Sequence, residues 1–381
     1  MTDILGVDTG TKRPDRLAIL LPLLESDPGN LALLADAAEA ALDLREAGIA
    51  GDLLDRYAAI SPLPSREANL AGLAALQMRQ FDRAAEIFAT LFAGGAKDNA
   101  LRFNLAWAQA NLKNFEQALE VLDDDSAREL PQAAMLRVQL LHQLADFDGA
   151  GDAARDYILR HPDHRGLMAA VSVLALDIDD EALAEACAAR AGEHPDALTT
   201  MGTLALGHER ATEAVDLFDQ ALAANPDLPR AWVGLGLAKM LTGETASAAA
   251  DIDRGANLFG DHLGSWIAAG WAHFVAGDTA TSRARFDAAM ALDPNFAETH
   301  GSLAVLDLLG GDIAEATRRS DIALRLDRKC YSAALAKSLI AASGGDHATA
   351  QRIFDHAART PIGDSGRTIG QALAKMGLGI T

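Results

Sequence analysis

The side chains that could do chemistry in this sequence are scattered, and none stands in a motif typical of catalysis. Cys187 and Cys330 lie far apart, and neither has a neighbouring base that would activate a thiol. The run His161-Pro162-Asp163-His164 could form a metal-binding turn or a proline-containing loop between helices, and the loop is the simpler interpretation. Asp123-Asp124-Asp125 lacks the spacing of a calcium loop, which predicts a solvated turn.

Nucleotide-binding signatures are also missing. No phosphate-binding Walker loop occurs, and Val233-Gly234-Leu235-Gly236 lacks the preceding strand and the third glycine of a dinucleotide fingerprint. We therefore predict no catalytic residue, no metal ligand and no cofactor, and we expect a protein that is not an enzyme.

Composition points to a soluble helical protein. The 381 residues exceed what one hydrophobic core serves, so two domains or a repeat array are expected. With 33 Lys and Arg against 54 Asp and Glu, the net charge of −21 argues against nucleic acid and anionic membranes as partners. Half of the residues are hydrophobic but only 5% are aromatic, which favours closely packed helices.

Nothing indicates export or membrane insertion. The basic residues before Leu17 resemble a leader, but the apolar run is short, contains Pro22 and lacks a cleavage site. No stretch approaches the roughly 20 apolar residues that span a bilayer. Two cysteines make no disulfide framework. A cytoplasmic location is expected.

A period of about 34 residues organises the chain. A small residue recurs at this spacing, four residues before a large apolar side chain and twelve after another small residue. We call these ten positions the anchor residues: Ala50, Ala84, Ala118, Ala150, Ala184, Ala214, Ala248, Ser282, Ala316 and Ala350. Apolar residues at helical spacing on both sides of a turn predict one helical hairpin per period, and such hairpins must stack to bury their apolar faces.

The pattern resembles the tetratricopeptide repeat family. Leu198, Gly202, Ala205, Phe218 and Pro226 follow its consensus closely, and the next two periods do likewise through residues such as Trp232 and Trp266. The resemblance covers residues 31 to about 362. It implies an all-α solenoid, a right-handed superhelix of about ten stacked hairpins whose first helices line a concave groove that binds protein segments.

The period sets the expected organisation. We predict a partial repeat over residues 1–30, with Leu17 to Leu24 as its second helix, then three repeats over 31–130. Two degenerate repeats follow over 131–194, five repeats over 195–362 and a capping helix over 363–381. The period shortens near residues 130 and 194, where either a hinge or tolerated loop trimming is expected.

The family's inward-facing positions give a candidate groove. In the first half they hold amides and aromatics that suit an extended peptide: Asn69, Phe103, Asn104, Trp107, Asn111 and Gln139. In the second half they are apolar and suit an amphipathic helix: Leu237, Met240, Leu241, Ile267, Trp271, Phe274, Val305, Leu308 and Leu309. The alternative is that both sets are ordinary solvated or packed helix faces.

Three functions remain open from sequence. The first is a non-catalytic scaffold that holds a protein or peptide partner in this groove. The second is a recognition subunit that presents substrates to a separate protein-modifying enzyme, such as a transferase. The third is self-assembly into a homo-oligomer through the apolar positions or the tail.

Overall fold

The computed structural model describes residues 16–359, so the predicted capping helix over 363–381 lies outside the described residues. Every regular element in the described range is an α-helix. Helix α1 (Arg16–Ser26) packs on the first of ten hairpins. The first helices of the hairpins are α2 (Leu31–Asp43), α4 (Ser65–Gln77), α6 (Asn99–Asn111), α9 (Pro131–Gln143), α11 (Arg165–Asp177), α13 (Pro195–Gly207), α15 (Pro229–Thr242), α17 (Leu263–Val275), α19 (Ala297–Leu309) and α21 (Tyr331–Ser343).

The second helices are antiparallel partners of the first. They are α3 (Ala47–Ile60), α5 (Phe81–Ala93), α7 (Phe115–Val121) continued by α8 (Asp124–Glu129), α10 (Phe147–Arg160), α12 (Glu181–Ala191), α14 (Ala211–Ala224), α16 (Thr245–Phe259), α18 (Thr279–Leu292), α20 (Ile313–Leu326) and α22 (His347–Ala358). The chain divides into two compact units between Ala197 and Leu198, inside α13.

The anchor residues lie in the buried interior of the hairpins. All ten are buried, and Ala350 at 8% is the most exposed of them. Each stands at the fourth position of its second helix, where its N–H donates to the carbonyl four residues earlier, as Ala248 does to Glu244. A small side chain here lets the two helices of the hairpin approach closely, so the period read from sequence is the packing period.

The turn before each second helix has a fixed backbone conformation. The residue five positions before every anchor has a positive φ, which closes the end of the first helix. Glycine fills this site in the last four hairpins, at Gly243, Gly277, Gly311 and Gly345. In the first six hairpins the site holds Arg45, Arg79, Lys113, Ala145, Asp179 and Glu209.

The acidic run at Asp123 differs from its prediction. It is not a solvated turn but the N-terminus of α8: the Asp123 carboxylate accepts from the Ser126 N–H at 2.9 Å. Asp124 accepts from the buried Tyr157 hydroxyl, and Arg102 pairs with Asp123 at 3.0 Å. A carboxylate at a helix N-terminus satisfies donors that the helix leaves open. The second helix of the third hairpin is therefore broken in two at this point, where the period shortens.

Candidate functional site

The predicted groove positions of the first unit are half-buried. Phe103 and Trp107 stack with ring centroids 6.2 Å apart and pack on the core that α6 shares with α7 and α9. The Asn111 amide donates to the Trp107 carbonyl at 2.8 Å, so this amide is already hydrogen-bonded within its own helix. The side chains of Asn69, Asn104 and Gln139 have no hydrogen-bond partner within residues 16–359, which leaves these amides open to a peptide backbone.

One predicted groove residue of the second unit is wrong. Val305 is only 1% exposed and packs with Ala304 and Ala336, next to Trp271. The cause lies one turn earlier: a Cβ on Gly301 would meet the Ala333 backbone nitrogen at 2.5 Å, so α19 and α21 approach closely and cover Val305. A side chain with no accessible surface cannot contact a partner.

Five further positions of the second unit are half-buried. The Trp271 ring meets Phe274 at 5.5 Å and Phe286 at 5.6 Å, both edge to face. Ile267 packs on two neighbouring core clusters, and Met240 packs on one of them. Leu308 is half-buried as well. These side chains support the core first and offer only part of their surface.

The exposed members are leucines near the ends of first helices. Leu237, Leu241 and Leu309 are 41%, 44% and 59% exposed, and Val275 is 54% exposed. Leu241, Val275 and Leu309 occupy the same position, seven residues before the anchor, in three consecutive hairpins. We call Leu237, Leu241, Val275 and Leu309 the apolar row.

The same position is different elsewhere in the chain. In the first six hairpins it holds Asp43, Gln77, Asn111, Gln143, Asp177 and Gly207, and in the last hairpin it holds Ser343. Because the fold is the same in each hairpin, packing does not require an apolar residue there. The apolar row is therefore a departure from the chain's own pattern.

Ion pairs brace the helices that carry the row. Two residues before its members stand Lys239, His273 and Asp307. Lys239 Nζ lies 2.6 Å from Asp251, and Asp307 lies between Arg283 at 2.7 Å and Arg319 at 2.9 Å. Arg285 binds Asp253 with two nitrogens, and this hydrogen bonding raises the Arg285 pKa. First and second helices are thereby tied together behind the exposed leucines.

A family model for the tetratricopeptide repeat matches residues 69–134 and 199–257, about a third of the chain. The matched residues run from α4 into α9 and from α13 into α16. The chain contains tetratricopeptide repeats over these residues. The predicted all-α solenoid is confirmed as well, and repeats of this kind serve in general as protein–protein interaction scaffolds.

One solved structure shares the fold, and two others are similar at a lower level. The structure of a monomeric mutant of IFIT1 with Gppp-AAAA is 11% identical, covers 91% of this chain and 95% of that chain, and has a TM-score of 0.54. The APC/C hetero-tetramer Cut9-Hcn1 is 14% identical over 89% of this chain and 88% of that chain, with a TM-score of 0.42. YrrB, a tetratricopeptide repeat protein with an unusual peptide-binding site, is 18% identical over 49% of this chain and 98% of its own, with a TM-score of 0.40. No curated protein sequence matches the chain significantly.

The two thiols are buried, and His164 has a structural role. Cys187 and Cys330 are each 1% exposed, and burial raises the pKa of both thiols, which disfavours the reactive thiolate. His164 caps α11 by accepting from the Leu167 N–H at 3.0 Å. Within residues 16–359 no cluster of three or more acidic, histidine or cysteine side chains could hold a metal ion, and no helix is long and apolar enough to cross a membrane.

Sequence reasoning missed a second set of exposed leucines. Leu258, Leu292 and Leu326 recur ten residues after the anchor, near the ends of second helices, and are 42%, 44% and 44% exposed. The 34-residue spacing could have revealed them, but the family's groove is built from first helices, so the resemblance gave no reason to expect a site on second helices.

Proposed function

We propose that this tetratricopeptide repeat protein is a non-catalytic scaffold that binds an apolar segment of a partner protein, such as an amphipathic helix, along the apolar row. The observation that carries the proposal is the position of Leu241, Val275 and Leu309. They are exposed at a site where the other seven hairpins of the chain have polar residues or glycine. Exposed apolar surface that exceeds scattered single residues is typical of an interaction site.

The spacing supports a helical partner. Leu237 and Leu241 lie one turn apart on the same side of α15, and Val275 and Leu309 continue the position on the next two first helices. A helix that presents apolar residues at every third or fourth position can place several of them on such a row. Half-buried Met240, Phe274 and Leu308 would line its edge, where flexible and aromatic side chains adapt to a guest.

The first unit would contribute differently. The amides of Asn69, Asn104 and Gln139 can donate to and accept from an extended backbone at once, which suits sequence-tolerant contacts. The net charge of −21 disfavours an RNA partner, in contrast to IFIT1, whose structure contains Gppp-AAAA. Partner selection would therefore rest on apolar contact in the second unit.

Matched substitutions test the proposal. The double variant Leu241→Asp with Leu309→Asp places charges in the row, and Leu292→Asp places one at a leucine of equal exposure, 44%, on a second helix. Wild type and Leu292→Asp should capture the same partner from lysate, whereas the double variant should lose it. A synthetic peptide of the captured segment should gain helical circular dichroism on binding. Equal capture by all three proteins would remove the row from consideration.

The same variants separate a foreign partner from a second copy of the chain. If the apolar row joins two copies, light scattering will show a mass above 40.0 kDa that rises with concentration and returns to the monomer value in the double variant. A constant monomer mass together with partner capture supports the scaffold.

A further inference from the structure

The fourth residue of the first helix has a ring in three consecutive hairpins, and two of these rings fill the space between successive second helices. Trp232 and Trp266 place their rings there, and each indole N–H donates at 2.8 Å to a carbonyl six residues earlier, that of Pro226 or Gly260. His300 repeats the arrangement: its Nε2 lies 2.8 Å from the Pro294 carbonyl. The Arg254 guanidinium lies 4.0 Å from the centre of the Trp232 ring.

In the last hairpin this ring is missing. The equivalent residue is Ala334, and a cavity of about 490 Å³ opens between α20 and α22. Leu324, Ala334 and Ile353 form its apolar wall. The space that an aromatic side chain of the chain itself fills in the preceding hairpins is open here.

Cations surround the cavity, which is unusual in a chain with a net charge of −21. Arg328, Lys337 and Arg352 line it, together with His356. Lys337 pairs with Asp321 at 2.6 Å, and the Arg352 guanidinium donates to the Thr349 hydroxyl at 2.8 Å. Asp321 pairs with Lys337 and Asp346 lies near Arg352, but the described lining of the cavity contains no Asp or Glu, so positive charge predominates at the cavity itself.

The repeat pattern does not account for these cations. The position of Lys337 is held by a buried aliphatic residue in seven other first helices, among them Ala71, Leu235 and Leu303. Arg328 stands where proline closes four other hairpins, as at Pro226 and Pro294. A lysine in place of a buried aliphatic residue costs packing, so a further role is indicated for it.

The corresponding cavity of the first unit shows what the fold alone produces. There the fourth residue of α4 is Ala68, and a cavity of about 620 Å³ opens between α3 and α5. Its charged residues are mixed: Arg83 pairs with Asp55, and Glu86 stands at the position of Arg352. An alanine at this position borders a cavity in both units, but the cavity beside Ala334 carries a positive excess and the cavity beside Ala68 does not.

We propose that the cavity between α20 and α22 binds an acidic peptide segment whose aromatic side chain occupies the space left open at Ala334. The ring would pack on Leu324 and Ile353, and its N–H or O–H would reach the backbone as the rings of Trp232 and Trp266 do. Flanking carboxylates would meet Arg328, Lys337 and Arg352, because charge-assisted hydrogen bonds to arginine are strong and directional. This site is separate from the apolar row and does not depend on it.

Fluorescence anisotropy with the full chain tests the site. The probe is a fluorescein-labelled peptide with one tryptophan between two pairs of glutamates, used at about 0.15 M salt, where repulsion from distant charges is screened beyond roughly 8 Å. Two comparison peptides carry alanine for tryptophan or lysines for the glutamates. Wild type should bind the probe saturably and both comparison peptides at least about tenfold more weakly, a difference of about 1.4 kcal/mol.

Ala334→Trp closes the cavity in the way that the preceding hairpins already do. It should weaken probe binding at least about tenfold while the midpoint of thermal unfolding stays at or above that of wild type. The matched change Ala68→Trp, in the first-unit cavity, should leave probe binding unchanged. Arg352→Glu, an exposed substitution, should weaken binding by a similar factor without loss of helicity.

Several results would overturn the proposal. Unchanged binding to Ala334→Trp or Arg352→Glu would do so, as would equal binding of the lysine peptide. Displacement of the probe by inorganic phosphate at low millimolar concentration would assign the cations to a phosphate ligand instead. The Leu241→Asp and Leu309→Asp double variant should bind the probe like wild type, so failure here and failure of the scaffold proposal can be told apart.

Discussion

Gly270 on α17 faces Phe286 on α18 so closely that a Cβ at Gly270 would lie 2.3 Å from Phe286 Cε1. The two residues stand twelve before and four after the anchor Ser282. The same pairing joins Gly72 to Phe88 and Gly202 to Phe218. In the hairpin of α9 and α10 the sizes are exchanged, with Val138 on the first helix and Ala154 on the second. In these four hairpins one large and one small side chain fill the space between the two helices.

We expect Gly270→Ala to destabilise the chain by about 1–3 kcal/mol, because the phenyl ring is fully buried and has nowhere to move. This outweighs the gain of about 1 kcal/mol that alanine brings to a helix interior. Urea unfolding measures the change. Gly48→Ala in α3, where an added Cβ meets nothing within 4 Å, should cause no loss. Adding Phe286→Leu to Gly270→Ala should restore part of the stability, and strict additivity of the two changes would contradict the pairing.

At the turn residue with positive φ, a substitution should increase the stability of the chain, whereas Gly270→Ala should decrease it. Lys113 has a φ of 63°, in the region that favours glycine, whereas Gly277 fills the same site later in the chain. Lys113→Gly should therefore stabilise the chain by about 0.5–1 kcal/mol, since it removes backbone strain of about 1–2 kcal/mol at a smaller entropic cost. Thermal unfolding provides the measurement. Gln117→Gly, exposed inside α7, should cost about 1 kcal/mol, and a loss of similar size for Lys113→Gly would contradict the argument.

Val305 and Leu309 were both predicted to line the groove, but Val305 is buried and Leu309 is exposed. Val305→Ala should cost about 2 kcal/mol, because two buried methyl groups are lost and the closely packed helices cannot refill the space. Leu309→Ala, at a side chain that is 59% exposed, should change the free energy of unfolding by at most about 0.5 kcal/mol. Urea titration compares them, and equal losses would mean that Leu309 is packed in solution.

His164 links stability to pH. Its Nδ1 accepts the Leu167 N–H only when the imidazole is neutral. Burial, and then the neighbouring His161 and His194, lower the pKa of His164 below its ordinary value of 6.5. A lowered folded-state pKa means that the stabilisation is present above pH 6.5 and is lost as pH falls through the folded-state pKa. His164→Asn keeps a capping oxygen that does not titrate.

We therefore expect the unfolding temperature of wild type to fall more between pH 7 and pH 5 than that of His164→Asn. The two proteins should differ little at pH 7. Parallel curves across this range would show that the cap does not titrate in it.

The sequence predicted the features that recur with the 34-residue period. The anchors, the small first-helix residues and the hairpins follow from a 34-residue spacing, and the family and the all-α fold were confirmed. The groove residues remain predictions except for Val305, which failed because closeness of α19 and α21 depends on Gly301, a residue outside the recurring pattern. The break at Asp123 was missed for a related reason: a run of acids in a turn and a run that caps a short helix have the same composition, and only Tyr157 and Arg102 distinguish them.

The cavity at Ala334 could not be predicted from the sequence, for a different reason. Alanine at the fourth helix position is ordinary in sequence, and its meaning appears only when the rings of Trp232 and Trp266 are seen to occupy the equivalent space. The cations around it come from three different helices or their ends, so no local motif announces them.

The exchange of sizes between Val138 and Ala154 has a consequence for how such a chain can grow. In this hairpin the fit lies between its own two helices, so a rearrangement that keeps both helices together keeps the pair intact. A crossover within a hairpin would join a valine to a phenylalanine, or a glycine to an alanine, and leave a clash or a hole. Breakpoints inside this hairpin should therefore be selected against, and breakpoints between hairpins should be tolerated where no close pair such as Gly301 and Ala333 spans the joint.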